Sequence, residues 1–137
     1  MNVVIDTSVI FKWFVAWGES GLDEAGKLLR MHRDGDITLV APASVAVELA
    51  NLLRYVGLEA ADAPGYFEDF SAIRVRTYPE TPARIQQALE CAFAHRISVY
   101  DAMFLALAKE LDCPLVTADR RAFGGIPSSA AEVRLLL

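Results

Sequence analysis

Val3-Val4-Ile5-Asp6-Thr7-Ser8 is a short β-branched run that breaks into three polar residues, the pattern of a buried strand stopping at a loop or a helix start. Similar short apolar runs return downstream: Thr38 to Ala41, Ile73 to Tyr78, Pro114 to Thr117 and Val133 to Leu136 each read as a strand. Helical signals fill the intervals. Leu22 to Arg33 has acids early and bases late, matching the helix dipole, and ends near Asp34-Gly35. Pro42 and Ser44 open a helix whose stripe runs Val45, Leu49, Leu52, Leu53 and Val56 before Gly57. Tyr66 to Phe70 is a short helix, and Thr81-Pro82 supplies the N-cap and first residue of another through Ala94. Ser98, with Asp101 three residues on, caps a helix to Leu111, while Asp119 to Phe123 makes one turn before Gly124-Gly125 breaks it. This alternation implies βαβ units and a parallel sheet covered on both faces. In such sheets a ligand site lies outside the carboxyl ends of the strands, where Asp6 and Asp119 stand.

At 137 residues, the expected unit is one domain over residues 1–137 with one core. The chain is 54% hydrophobic and 23% charged, which excludes a disordered tail. No membrane partner is expected, because the apolar stretch from Ile97 to Ala108 is interrupted by Asp101 and falls short of the roughly 20 residues a span requires. The N-terminal residues lack a positive n-region, so a cytoplasmic location is the expectation. Cys91 and Cys113 sit among aliphatic neighbours, without the spacing of a zinc site, and read as reduced packing thiols. A net charge of −5 argues against gripping nucleic acid by bulk electrostatics, so such a substrate must be held locally.

Among eighteen acidic residues, four stand in apolar surroundings. Asp6 ends the first strand, Glu48 lies within Val45-Ala46-Val47-Glu48-Leu49, Asp101 is the only charge between Ile97 and Ala108, and Asp119 follows Leu115-Val116-Thr117-Ala118. Positions 45, 48, 49, 52, 53 and 56 share one helical face that is apolar apart from Glu48, which places this carboxylate on the packing side. Burying an unpaired carboxylate costs several kcal/mol, so each group needs a cation or a raised pKa. The basic residues do not show four buried partners. Oxygen-only ligands suit Mg²⁺ or Mn²⁺, which activate water and neutralise phosphate in phosphodiester hydrolysis.

Taken singly, each acid has a plainer role. Asp6 and Asp119 can cap helices, Asp101 can act as a dipole partner, and Glu48 can pair with a buried Arg. Phe11, Trp13, Phe14 and Trp17 crowd the segment after Asp6, either as core or as a groove for a partner helix. Arg120 and Arg121 read first as a solvated pair and second as phosphate ligands, while His32 and His95 read as dipole partners at helix ends.

Val-Ile-Asp6-Thr7-Ser8, the helical Glu48, Ser98-Val-Tyr100-Asp101-Ala102 and Val116-Thr117-Ala-Asp119-Arg120 together resemble the PIN-domain pattern across essentially the whole chain, and within it the VapC-type toxins. The resemblance implies an α/β/α three-layer sandwich with a central, mainly parallel sheet. It also implies Mg²⁺- or Mn²⁺-dependent cleavage of RNA, homodimerisation, and inhibition by a small cognate antitoxin of the VapB type. Carried over by position, Asp6, Glu48, Asp101 and Asp119 are the catalytic, metal-binding acids, with Asp6 and Asp101 foremost as direct ligands. Thr7, Ser8 and Thr117 then orient carboxylates or water. A competing reading is a catalytically silent PIN-like module that binds a protein partner through its aromatic segment. A phosphatase with Asp6 as nucleophile is disfavoured, because such enzymes carry a second Asp where this chain has Ser8.

Overall fold

The computed structural model describes residues 1–15 and 20–136, so Trp17 lies outside the described residues. In chain order the elements are β1 (Asn2–Ile5), α1 (Thr7–Phe14), α2 (Leu22–Asp34), β2 (Thr38–Pro42), α3 (Val45–Tyr55), α4 (Ala63–Ile73), β3 (Arg76–Tyr78), α5 (Pro82–His95), α6 (Val99–Leu111), β4 (Leu115–Thr117), α7 (Arg120–Phe123) and β5 (Val133–Leu135). The five strands form one sheet in the order β3-β2-β1-β4-β5, and every pairing is parallel. The chain steps from β1 through β2 to β3, then crosses back to β4 on the other side of β1. With right-handed crossovers, this reversal puts the helices of the two halves on opposite faces, giving the three layers. Helix α6 lies against β1, β2 and β4, with α5 packed on it, whereas α1 touches α2 and α3.

The strand-forming residues Val4, Ile5, Leu39, Val40 and Leu115 are fully buried, as a parallel sheet covered on both sides requires. Helix α6 buries a continuous run, Ala102 through Ala108, and no described helix is long and apolar enough to cross a membrane. The α5–α6 pair is pinned by Arg84, which is 6% exposed and donates to Glu110 Oε2 and the Pro79 carbonyl, each at 2.6 Å. The guanidinium holds the Glu110 carboxyl below its usual range. The aromatic segment packs inward in its described part. Trp13 donates to the Ala25 carbonyl at 2.8 Å, and Phe14 stacks edge-on to both Trp13 and Tyr66. Both cysteines are free, Cys91 buried and Cys113 half-buried.

Two local expectations change. The third strand is only Arg76–Tyr78, because Ile73 is buried as the last residue of α4 and Arg74 caps that helix in the left-handed conformation, φ 60°. Pro42 closes β2 instead of opening α3; it has no N–H for the ladder, and the next bond passes to Ala43, which donates to the Tyr78 carbonyl at 2.8 Å. His32 stands in the last turn of α2, as expected, and its ring also bridges two elements. Its Nδ1 accepts the Leu39 amide at 3.1 Å, which leaves Nε2 to donate to the Ile73 carbonyl, also at 3.1 Å.

Candidate active site

Strand order creates the site. β1 is flanked by β2 and β4, so the direction of winding reverses between β1 and β4, and a crevice opens beyond their carboxyl ends. Ile5 pairs with Val116, and the ladder runs one residue further as the Asp6 amide donates to the Val116 carbonyl at 3.3 Å. Asp6 is therefore set beside Thr117, two residues before Asp119. Helix α3 brings Glu48 to the same crevice and the first turn of α6 brings Asp101. All four acids line one cleft of about 390 Å³, together with Thr7, Ser8, Asn51, Leu52 and Phe104.

Each acid is held by a distinct local device. Asp6 is the N-cap of α1 and is 5% exposed; its Oδ1 accepts the Ser8 amide at 3.1 Å and the Ser8 hydroxyl, and its Oδ2 accepts the Thr117 hydroxyl at 2.5 Å. Both hydroxyls also accept backbone amides from the β4–α7 turn: Ser8 Oγ from Ala118 and Thr117 Oγ1 from Asp119, each at 2.9 Å. Two side chains thus lock the turn carrying Asp119 to the carboxylate of Asp6. Asp119 caps α7, accepting the Ala122 amide at 3.0 Å. Thr7 donates to Glu48 Oε2 at 3.0 Å, and Ser98 accepts the Asp101 amide at 3.1 Å. The capping roles expected of Asp6 and Asp119 are real, and both residues line the cleft as well.

Only Asp6 is buried; Glu48, Asp101 and Asp119 are half-buried at the rim. The reason lies in α3, where Val45, Leu49 and Leu53 form the packing face while Leu52, at 39% exposed, borders the cleft beside Glu48. The site is an open carboxylate-lined crevice, not four charges sunk in a core. Burial raises the Asp6 carboxyl from the ordinary 3.8 to about 6, against the lowering influence of the Ser8 and Thr117 hydrogen bonds, and the Asp119 charge adds to the rise. Burial also raises Glu48 and Asp101; the charges of Asp101, Asp6 and Glu80 add to the first, and that of Asp119 to the second. Mutual repulsion in a partly desolvated crevice marks a site suited to a cation.

The PIN-domain family profile matches residues 3–126. The chain belongs to the PIN-domain family. It is 28% identical over 125 residues to ribonuclease VapC3 of Pyrobaculum aerophilum, covering 88% of this chain and 92% of that protein. Among solved structures, this PIN domain superposes on Mycobacterium tuberculosis VapC20, a sarcin-ricin loop cleaving toxin, with a TM-score of 0.69 at 21% identity, covering 98% and 99% of the two chains. It also superposes on Rickettsia felis VapBC2, solved bound to a promoter DNA fragment, with a TM-score of 0.73 at 14% identity, covering 98% of each chain.

The donor set in the PIN-domain cleft is entirely oxygen, which fits a hard divalent ion and not zinc or copper. Among the described residues no three acidic, His or Cys side chains close into a ready-made metal cage. Mg²⁺ needs less than that, since one or two carboxylates with waters and substrate phosphate complete its shell. Sequence reading placed Asp6, Glu48, Asp101 and Asp119 in one site and assigned supporting roles to Thr7, Ser8 and Thr117, all seven of which take part in the geometry above. It missed Asn51, which lies one helical turn beyond Glu48 and was reachable by the same spacing, and Phe104, the buried floor of the cleft. It also missed Glu80, whose carboxylate accepts the Ser44 amide at 3.1 Å and adds negative charge near Glu48. Nothing in the local sequence marks Glu80, because β3 alone brings it there.

Proposed function

We propose that this PIN domain is a divalent-metal-dependent endoribonuclease acting as the toxin of a VapBC-type pair. The carrying observation is the convergence of four carboxylates, from segments scattered over the chain, on one crevice at the sheet's switch point. The 28% identity to a protein named ribonuclease VapC3 supports RNA as the substrate. Asp6 and Asp101 would hold Mg²⁺ or Mn²⁺ directly, with Glu48 and Asp119 completing the acidic wall. Such an ion, once bound, lowers the pKa of water and neutralises the phosphate being attacked.

The chain's own residues do the rest. The hydroxyls of Ser8 and Thr117 fix the Asp6 carboxylate so that its oxygens do not reorganise during reaction, and Thr7 does the same for Glu48. The Phe104 floor excludes water from below, which strengthens every charge interaction in the crevice. Glu48 and Asp119, at the rim, are placed to accept a proton from an attacking water. The likeness to VapBC2 of Rickettsia felis supports a VapB-like partner for this chain, and a cytoplasmic homodimer, implied by the family resemblance, is part of the same proposal.

The test is to express the wild-type chain and Asp101→Asn and map RNA ends across the transcriptome. New ends should cluster at defined sites with the wild type alone. Equal end patterns from both proteins would refute the assignment, and tight partner binding without any new ends would favour a silent binding module.

A further inference from the structure

A second cleft, of about 290 Å³, adjoins the acidic one and shares Asp101 and Asp119 with it; its remaining wall includes Arg96, Ser98 and Arg121. Resting on the nuclease reading above, we propose that Arg96 and Arg121 form a phosphate subsite, which holds the RNA backbone phosphate next to the one being cleaved.

Three observations carry this. First, the two arginines reach the cleft from separate elements. Arg96 is the left-handed cap of α5, φ 56°, at the turn into α6, and Arg121 lies in α7, two residues past Asp119. Second, both are exposed, and neither guanidinium makes a hydrogen bond or ion pair among the described residues, although Asp101 and Asp119 line the same cleft. By contrast, Arg84 is tied to Glu110 and Arg134 to Glu132. The donors of Arg96 and Arg121 are available, and a planar guanidinium fork matches two phosphate oxygens. Ser98, whose oxygen accepts the Asp101 amide, adds a hydroxyl to the same wall.

Third, electrostatics demands such a feature. A chain of net charge −5 with four carboxylates in its active crevice repels a polyanion, and bulk charge gives no compensation. Cations flanking the acids draw the strand across Asp101 and Asp119. Phosphate ligands of this kind set register on the backbone and carry no base information, so the subsite positions RNA without choosing its sequence.

The experiment is fluorescence anisotropy with a labelled single-stranded RNA oligomer of mixed sequence. It is run in chelator, so that no cleavage occurs, across a series of salt concentrations. Wild type is compared with Arg96→Ala, Arg121→Ala, the double variant, and Arg33→Ala. The last removes the same charge from exposed α2, outside both clefts. Removing one phosphate-binding arginine should lower the magnitude of the log–log salt slope by about 0.7, so the double variant should drop by about 1.4. Affinity at low salt should fall on the order of tenfold per arginine, and Arg33→Ala should leave the slope unchanged. With Mg²⁺ present, the double variant should raise KM and leave kcat near wild type, as expected for binding shared by ground and transition states. An unchanged slope and affinity in the double variant, while wild type binds RNA, would overturn the subsite and leave the nuclease reading standing. An equal weakening in Arg33→Ala would also overturn it, since bulk charge would then be the cause. Failure of wild type to bind RNA at all in chelator would also overturn the subsite, whose cations stand without metal, whereas the nuclease reading stands or falls on cleavage with Mn²⁺.

Discussion

Replacing Asp6 by Asn should stabilise the metal-free protein, and the gain should depend on pH. Burial moves this carboxyl from 3.8 to about 6, so its ionised form costs the folded state about 3 kcal/mol at neutral pH. The sign follows from the order of the two values. Below about pH 3 the carboxyl is protonated in both states; as pH rises towards 6 the unfolded chain ionises first and stability falls; above 6 the loss is nearly complete. An amide does not titrate, so Asn gains over Asp across that window. Thr117 can no longer donate to the atom that replaces Oδ2, which takes back about 1 kcal/mol. The net gain of about 2 kcal/mol, spread over a 137-residue unfolding entropy, raises Tm by about 7 °C. Thermal melts in chelator at about pH 7.5 and about pH 4 measure it. No stabilisation at the higher pH, or an equal one at the lower, would refute the claim that buried charge at Asp6 is a structural cost. Saturating Mg²⁺ should then raise the Tm of wild type and leave Asp6→Asn unmoved.

Thr117→Val deprives Asp6 of a donor and the Asp119 amide of its acceptor, so it should cost about 1–3 kcal/mol and move the acid limb of the pH–rate profile to higher pH, read by chemical denaturation and initial rates. Thr7→Val frees the Glu48 carboxylate without changing side-chain volume, and calorimetry should show Mn²⁺ binding about 10- to 100-fold weaker while Tm shifts little. Arg84→Ala breaks the pin between α5 and α6; because Glu110 is 48% exposed and rehydrates, the loss should be about 2 kcal/mol in a denaturant titration.

The parallel sheet was legible because its central strands are continuous β-branched runs buried on both faces, and Asp6 was legible as the charge that ends one of them. The caps at Thr81 and Ser98 were readable for the same local reason, each hydroxyl accepting an amide three residues on. The edge strand β3 was legible as a strand ending at Tyr78 but not in its start, because Arg76 and Thr77 are exposed and the apolar Ile73 that suggested a longer strand serves α4. For the site, apolar context pointed to Glu48 and Asp101 yet overstated their depth, since helical periodicity gives a face but not where that face meets the rim of a crevice. The adjacency of Arg96 and Arg121 was invisible: it arises from the packing of α6 beside β4, which no short-range pattern encodes.

The central claim is that the carboxylate crevice cleaves RNA through a bound divalent ion. Its most direct test is the initial rate of cleavage of a labelled RNA by purified, partner-free protein as Mn²⁺ is titrated, for wild type and Asp101→Asn. Asp101 is half-buried and its amide, not its carboxylate, makes the cap hydrogen bond, so the variant should fold. Wild-type cleavage should rise with metal and vanish with chelator, and Asp101→Asn should be slower on the order of 100-fold or more. A verified cleavage activity indifferent to both chelator and Asp101→Asn would contradict the account.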